Sequence, residues 1–166
     1  MASLYGSNEH KQYGIQREPF VAQRIYDYLR KNKMIINMEK ALPSEDMNQK
    51  FDYKYTCNEN QSFDKKQNIT EIKVDVKCAK TFTLIDRNGK NTLENSESTF
   101  IVFELEKNAE KLLWINTGKL KMCLDNDNCR LELFKSKEEG NESKYFWIQK
   151  FIQDNKYHLK GAYDYL

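Results

Sequence analysis

The sequence predicts a single α+β domain in which a mixed β-sheet is flanked by helices. Three observations carry that expectation. An early segment has apolar residues at helical spacing, several short central segments alternate apolar and polar residues, and a long apolar segment lies near the C-terminus. With 166 residues the chain is long enough to bury one core without staples, and its 39% hydrophobic and 13% aromatic content excludes a disordered chain. No repeat or linker divides it, so the expected organisation is a loose arm over 1–16 and one domain over 17–166.

The first helix is expected over 19–32, with Pro19 at its first position and Phe20, Val21, Ile25, Tyr28 and Leu29 on one face. Residues 39–50, with Pro43, Ser44 and several charges, read as a connection. Residues 50–57 alternate Phe51, Tyr53 and Tyr55 with Asp52, Lys54 and Thr56, the period of a half-buried strand. After a polar hairpin loop, 69–78 places Ile72, Val74, Val76 and Cys78 on one face and Glu71, Lys73, Asp75 and Lys77 on the other. Asn88-Gly89 marks a turn, and 99–105 is apolar and β-branched enough for a buried strand. Further strands are expected over 112–117, 119–124 and 129–134, with a turn over 125–128. Residues 145–154 read as a helix, with a strand start as the alternative.

A net charge of +2 gives no strong global field and argues against a protein that coats nucleic acid by charge alone. No apolar run approaches the ~20 residues that span a bilayer, and 1–16 lacks the apolar stretch of a secretory leader. The expected location is therefore cytoplasmic, with no membrane partner. There the four cysteines are expected as reduced thiols, and the acceptor patterns at Asn68 and Asn141 carry no meaning.

Several chemistries are excluded by spacing. The six glycines form neither a dinucleotide fingerprint nor a P-loop, and His10 and His158 are too few and too far apart for a histidine metal site or triad. Asp125-Asn126-Asp127 opens like a calcium loop, but Arg130 and Ser136 stand where Gly and Glu are required. Cys123 and Cys129 lack a second cysteine pair to complete four ligands, which favours packed thiols.

The carboxylates remain. Glu71-Ile72-Lys73 and Asp75-Val76-Lys77 each set an acid and a lysine side by side on one strand face, and Asp52 lies on the preceding strand. Two carboxylates can hold Mg²⁺ or Mn²⁺ with room for water and a phosphate oxygen, and a neighbouring lysine can offset charge building on the phosphate. Over about residues 18–105 this arrangement resembles the PD-(D/E)xK nuclease superfamily, with its acid at the start of one core strand and acid-x-Lys on the next. Phe51 stands where the motif's Pro would be.

The resemblance implies a restriction-endonuclease-like core of α-β-β-β-α-β order, with the helix at 19–32 followed by strands near 51, 72 and 101. It implies Asp52 and Asp75 as metal ligands, Lys77 as catalytic lysine and Glu18, at the head of the helix, as an accessory acid. The implied activity is Mg²⁺-dependent hydrolysis of DNA, with a homodimer natural for cutting two strands. Glu71/Lys73 is the alternative register. Between Asp64 and Lys90, seven basic residues outnumber four acids, and Lys65, Lys66 and Lys80 are candidates for tracking a phosphate backbone.

Two other readings stay open. An alternating strand with one charged face is also what an ordinary solvated sheet shows. A small, tyrosine-rich domain of near-neutral charge also suits a non-enzymatic module that binds a protein partner, such as a phage or mobile-element inhibitor, or a nuclease-like fold that binds without cleaving.

Overall fold

A computed structural model describes residues 8–32, 36–58, 60–135 and 142–166. Its elements are α1 (Asn8–Leu29), a 3-10 turn (Arg30–Asn32), β1 (Ile36–Lys40), α2 (Pro43–Gln49), β2 (Tyr53–Cys57), β3 (Glu71–Lys77), β4 (Thr81–Ile85), β5 (Phe100–Phe103), β6 (Leu113–Asn116), α3 (Thr117–Leu124), β7 (Phe134–Lys135), β8 (Lys144–Trp147), α4 (Ile148–Asp154) and β9 (Tyr163–Tyr165). The expected α+β domain with a mixed sheet and flanking helices is what forms. Six strands order as β1-β2-β3-β5-β6-β9, and a smaller sheet orders as β4-β8-β7. β3 and β5 run parallel, and every other pairing is antiparallel.

Two cores lie on opposite faces of the large sheet. On one, Val21, Ala22 and Ile25 of α1 cover Tyr53, Tyr55, Ile72, Val74, Val76, Val102 and Trp114. On the other, Ile101, Phe103, Leu113 and Ile115 pack against the small sheet, α3 and α4 through Phe82, Phe146, Leu120 and Phe151. β5 and β6 are therefore buried on both sides, which explains their unbroken apolar sequence. The polar face of β3 emerges where the second layer ends.

Several expectations are corrected. The helix starts by Asn8 rather than at Pro19, so residues 8–16 are not a loose arm and Pro19 lies inside α1; residues 1–7 fall outside those described. The turn before Pro19 is anchored from outside the helix, because Arg17 makes a buried two-point ion pair with Glu104 (Nε–Oε1 2.9 Å, Nη2–Oε2 2.7 Å). Phe20, expected on the buried face, is 62% exposed and carries the Arg17 guanidinium 5.1 Å over its ring.

Residues 39–50 are more than a connection. They hold the end of edge strand β1 and helix α2, which Pro43 opens and Glu45 caps by accepting from Leu42 N–H at 3.0 Å. The strand expected over 119–124 is α3. Asn116 caps it by accepting from Lys119 N–H at 2.9 Å, and helical spacing turns Leu120 and Cys123 inward while Met122 is 69% exposed. Of the strand expected over 129–134 only Phe134 belongs to one. The buried Asn155 amide takes both backbone groups of Arg130 at 2.8 Å, standing in for a partner strand. Residues 145–154 divide into the end of β8 and α4, the strand-start alternative.

The Arg17–Glu104 pair yields a stability prediction. The Arg17 side chain is 10% exposed and that of Glu104 is fully buried. Arg17→Ala should cost about 3–5 kcal/mol because it strands a buried carboxylate, whereas Arg17→Met with Glu104→Leu should cost far less. Urea denaturation of both variants checks this; equal losses would mean that packing, not charge, is what the pair supplies.

Candidate active site

The site is built by the pairing of β2 with β3. Tyr53 faces Val74 where that ladder ends, and Asp52 stands immediately before Tyr53. Asp52 N–H donates to Val74 O at 2.8 Å, and the Asp52 carboxylate then accepts from Val76 N–H at 2.7 Å. A side-chain oxygen thus takes the acceptor position that backbone would fill if β2 continued. The result fixes the carboxylate against β3, on the cleft that Asp75 also lines.

Neighbouring like charges repel, and here both acids are largely shielded from water. Burial first, and the neighbouring Asp75 second, push the Asp52 carboxyl up to about 9, with Lys77 partly offsetting them. Lys77 Nζ lies 3.3 Å from Asp75 Oδ2, and that carboxylate holds the ammonium above its ordinary range. The lysine also leans over the Phe82 ring of β4 at 5.8 Å. Glu18, in mid α1 rather than at its head, joins Asp52, Asp75 and Lys77 around a cleft of about 350 Å³. Burial raises its carboxyl, and Asp46 and Asp75 add to that while Lys40 lowers it.

The four residues Asp52, Asp75, Lys77 and Glu18 are therefore brought together. The alternative register is not equivalent. Glu71 faces Thr56 and Lys73 faces Lys54, so no carboxylate stands opposite that acid. Lys73 is instead engaged by Gln49 Oε1 at 3.3 Å, Glu97 at 3.7 Å and Glu71 at 3.8 Å. Lys65 and Lys66 belong to the hairpin loop at the other end of β3, about 20 Å away at the strand rise of ~3.3 Å per residue. Lys80 follows β3 more closely but pairs with Glu106 at 3.2 Å.

Sequence reading missed Asp46 and Lys50. Both line the small cleft and a neighbouring groove of about 750 Å³ that also touches Asp75, Lys77 and Phe82. Lys50 adopts φ 58° at the end of α2 and makes no ion pair among the described residues. The signal for it was the short helix itself, opened by Pro43 and ended before Asp52.

Two carboxylates with an adjacent lysine suit one divalent cation, since Mg²⁺ is commonly held by one or two carboxylates with water and phosphate oxygens completing its shell. The neighbouring acids on one cleft are the observation that fits: burial and Asp75 raise the Asp52 carboxyl, and a cation would replace the proton that it then retains. Among the described residues no three His, Cys, Asp or Glu side chains cluster as a ready-made cage. All four cysteines are free thiols, and Cys78 is pushed up to about 12 by burial, which leaves it unsuited to metal or nucleophilic work. No helix among the described residues is long and apolar enough to cross a membrane.

Compared with protein-family models, curated proteins and solved structures, the chain matches none.

The raised Asp52 carboxyl has a definite linkage sign. A folded-state value above the unfolded one contributes stability that is complete below about pH 4, declines as pH rises and is gone above about pH 9. Asp52→Asn keeps an acceptor for Val76 N–H but cannot ionise. In metal-free buffer the variant should gain on the parent by up to about 1.4 kcal/mol per pH unit across that window. Chemical denaturation at several pH values measures the difference; parallel curves would contradict it.

Proposed function

We propose that the protein is a divalent-cation-dependent nuclease that hydrolyses DNA phosphodiesters at Asp52, Asp75 and Lys77. The observation that carries this reading is that one cleft gathers the carboxylates of Asp52, just before β2, and Asp75, in β3, with a lysine two residues along β3 held 3.3 Å from the second acid. Element order supports it. α1, then the antiparallel run β1-β2-β3, then a crossover to β5 parallel to β3 matches the α-β-β-β part and the last strand of the α-β-β-β-α-β scheme of the PD-(D/E)xK resemblance. Strand β1 takes the first place, so the strands near 51, 72 and 101 are the second, third and fourth. The crossover departs from the scheme, since it carries strand β4 and turns where a helix is expected.

Asp52 and Asp75 would hold Mg²⁺ or Mn²⁺, and the cation when bound would supply Lewis-acid stabilisation of a phosphate oxygen. The protein's own groups then have separable tasks. Val76 N–H orients the Asp52 carboxylate, and Asp75 orients Lys77. The Lys77 ammonium, at the junction of the two clefts, offsets negative charge as the phosphate is attacked and can donate a proton there. Glu18 completes the acidic wall and can order a water. Lys50 offers a second cation to the strand lying in the groove. Lys65 and Lys66, at the far end of β3, have no part in the reacting phosphate on this reading.

Purified protein with Mg²⁺ or Mn²⁺ should cut at least one of duplex, branched or single-stranded DNA. Lys77→Met should lower the rate about 10²- to 10³-fold, and Asp75→Ala should abolish it. Mg²⁺ at a hundredfold excess over its Kd should stabilise the parent by about 2.7 kcal/mol, roughly 5–10 °C in Tm, and leave Asp52→Ala unmoved. Cleavage that persists in Asp75→Ala would remove the assignment. DNA binding without cleavage or a metal shift would leave a nuclease-like fold that only binds.

A further inference from the structure

The groove beside the acid cleft changes chemistry along its length. It encloses about 750 Å³ and shares Asp46, Lys50, Asp75 and Lys77 with the cleft. Beyond those four, its lining carries no charged side chain. Pro43 and Met47 of α2 are exposed there, Met47 at 70%, while Phe82 and Leu93 contribute apolar surface that is packed into the core behind it. Thr92 and Ser96 complete this part, and their hydroxyls are engaged within the protein. Thr92 donates to Thr83 O at 2.6 Å, and the Ser96 and Ser98 hydroxyls hydrogen-bond at 2.9 Å. Lys121 Nζ takes the Ser96 carbonyl at 2.8 Å. The groove is therefore ionic where it meets the acids and neutral beyond them.

Lys50 stands at that junction in the left-handed conformation, φ 58° and ψ 46°, directly after α2. Glycine is the residue that suits such a helix end. A lysine kept there against its backbone preference places a cation where the ionic and neutral parts meet. The complement of this groove is an anionic group joined to a flat neutral one, and its volume lies within the roughly 300–1,000 Å³ of small-molecule sites. A nucleotide has that form. A base inside a duplex is already paired and stacked, and extruding it is least costly where the strand is single or mismatched.

We propose that the substrate is single-stranded DNA, with a phosphate at Lys50 and Lys77 and an unpaired base against Met47 in the neutral part of the groove. The phosphate's place rests on the nuclease reading of Asp52, Asp75 and Lys77, to which the base site adds the class of substrate. The flexible, polarisable Met47 thioether packs on the face of any base, so little sequence preference is expected.

Three labelled DNAs test this: a single strand, its full duplex, and the single strand with its central bases replaced by abasic residues. Cleavage is followed in Mg²⁺, and binding by anisotropy in EDTA and in Ca²⁺, which the same carboxylates can hold. The single strand should be cut roughly tenfold or more faster than the duplex, and the abasic block should raise KM about tenfold. Met47→Ala should raise KM for the normal strand roughly two- to tenfold without lowering kcat, and this loss should vanish on the abasic strand, which a merely structural role would not produce. Lys50→Gly should weaken binding of both single strands about tenfold yet leave Tm equal or higher, since glycine relieves the left-handed backbone. A duplex cut as fast as the single strand, or an abasic strand handled like the normal one, would overturn the proposal and leave the nuclease reading in place. Affinities indifferent to both Met47→Ala and Lys50→Gly would also overturn it. Base-dependent binding with no cleavage of any DNA would keep the base site and remove the nuclease reading, and neither binding nor cleavage would remove both.

Discussion

The hydrogen bond from Val76 N–H to the Asp52 carboxylate, 2.7 Å long, is the constraint on which the candidate site depends. It closes the β2–β3 ladder with a side chain rather than with backbone. In doing so it fixes one acid near another in a largely buried place. Folding normally selects against neighbouring, buried carboxylates, and the raised Asp52 carboxyl is the consequence of keeping them. A local arrangement that is worse for stability than its neutral counterpart marks a candidate site, and a bound cation is what would offset it on the proposed reading.

The surrounding fold holds that arrangement through two ties to α1. Tyr55, fully buried, donates its hydroxyl to Ala22 O at 2.8 Å and ties β2 to α1. The Arg17–Glu104 pair ties α1 to the end of β5, where Glu104 N–H also meets Lys77 O at 2.8 Å. Those ties set Glu18, next to Arg17, over the acids. The second layer of the domain covers β5 and β6 but leaves the Asp75–Lys77 face open toward α2 and the 92–96 segment. Thus the same two-sided core that buries the centre of the sheet ends at the candidate site.

Much of this was legible in the sequence because strand period is strict. Alternation over 69–78 put Asp75 and Lys77 on one face, and the pattern of Phe51, Tyr53 and Tyr55 put Asp52 on the strand beside it. The register that brings Asp52 to the Val74–Val76 stretch of β3 was not legible, since a 13-residue loop (58–70) can close a hairpin in several ways. Leu120, Met122 and Leu124 also alternate, yet the Asn116 cap and the i, i+3 burial of Leu120 and Cys123 make a helix of them. Around Arg130 a distant side chain, Asn155, replaced the partner strand, and nothing local announces that. Pro19 was read as a helix start because local chemistry favours it there; a buried ion pair 87 residues apart in sequence anchors the turn before it.

The most direct measurement is the titration of Asp52 itself, by carbon-13 NMR of the side-chain carboxyl with assignment through Asp52→Asn. The account expects a carboxyl titrating far above the ordinary carboxylate range in metal-free protein, toward about 9, and falling by several pH units when Mg²⁺ saturates the site. An Asp52 carboxyl that titrates near 4 and ignores Mg²⁺ would contradict it.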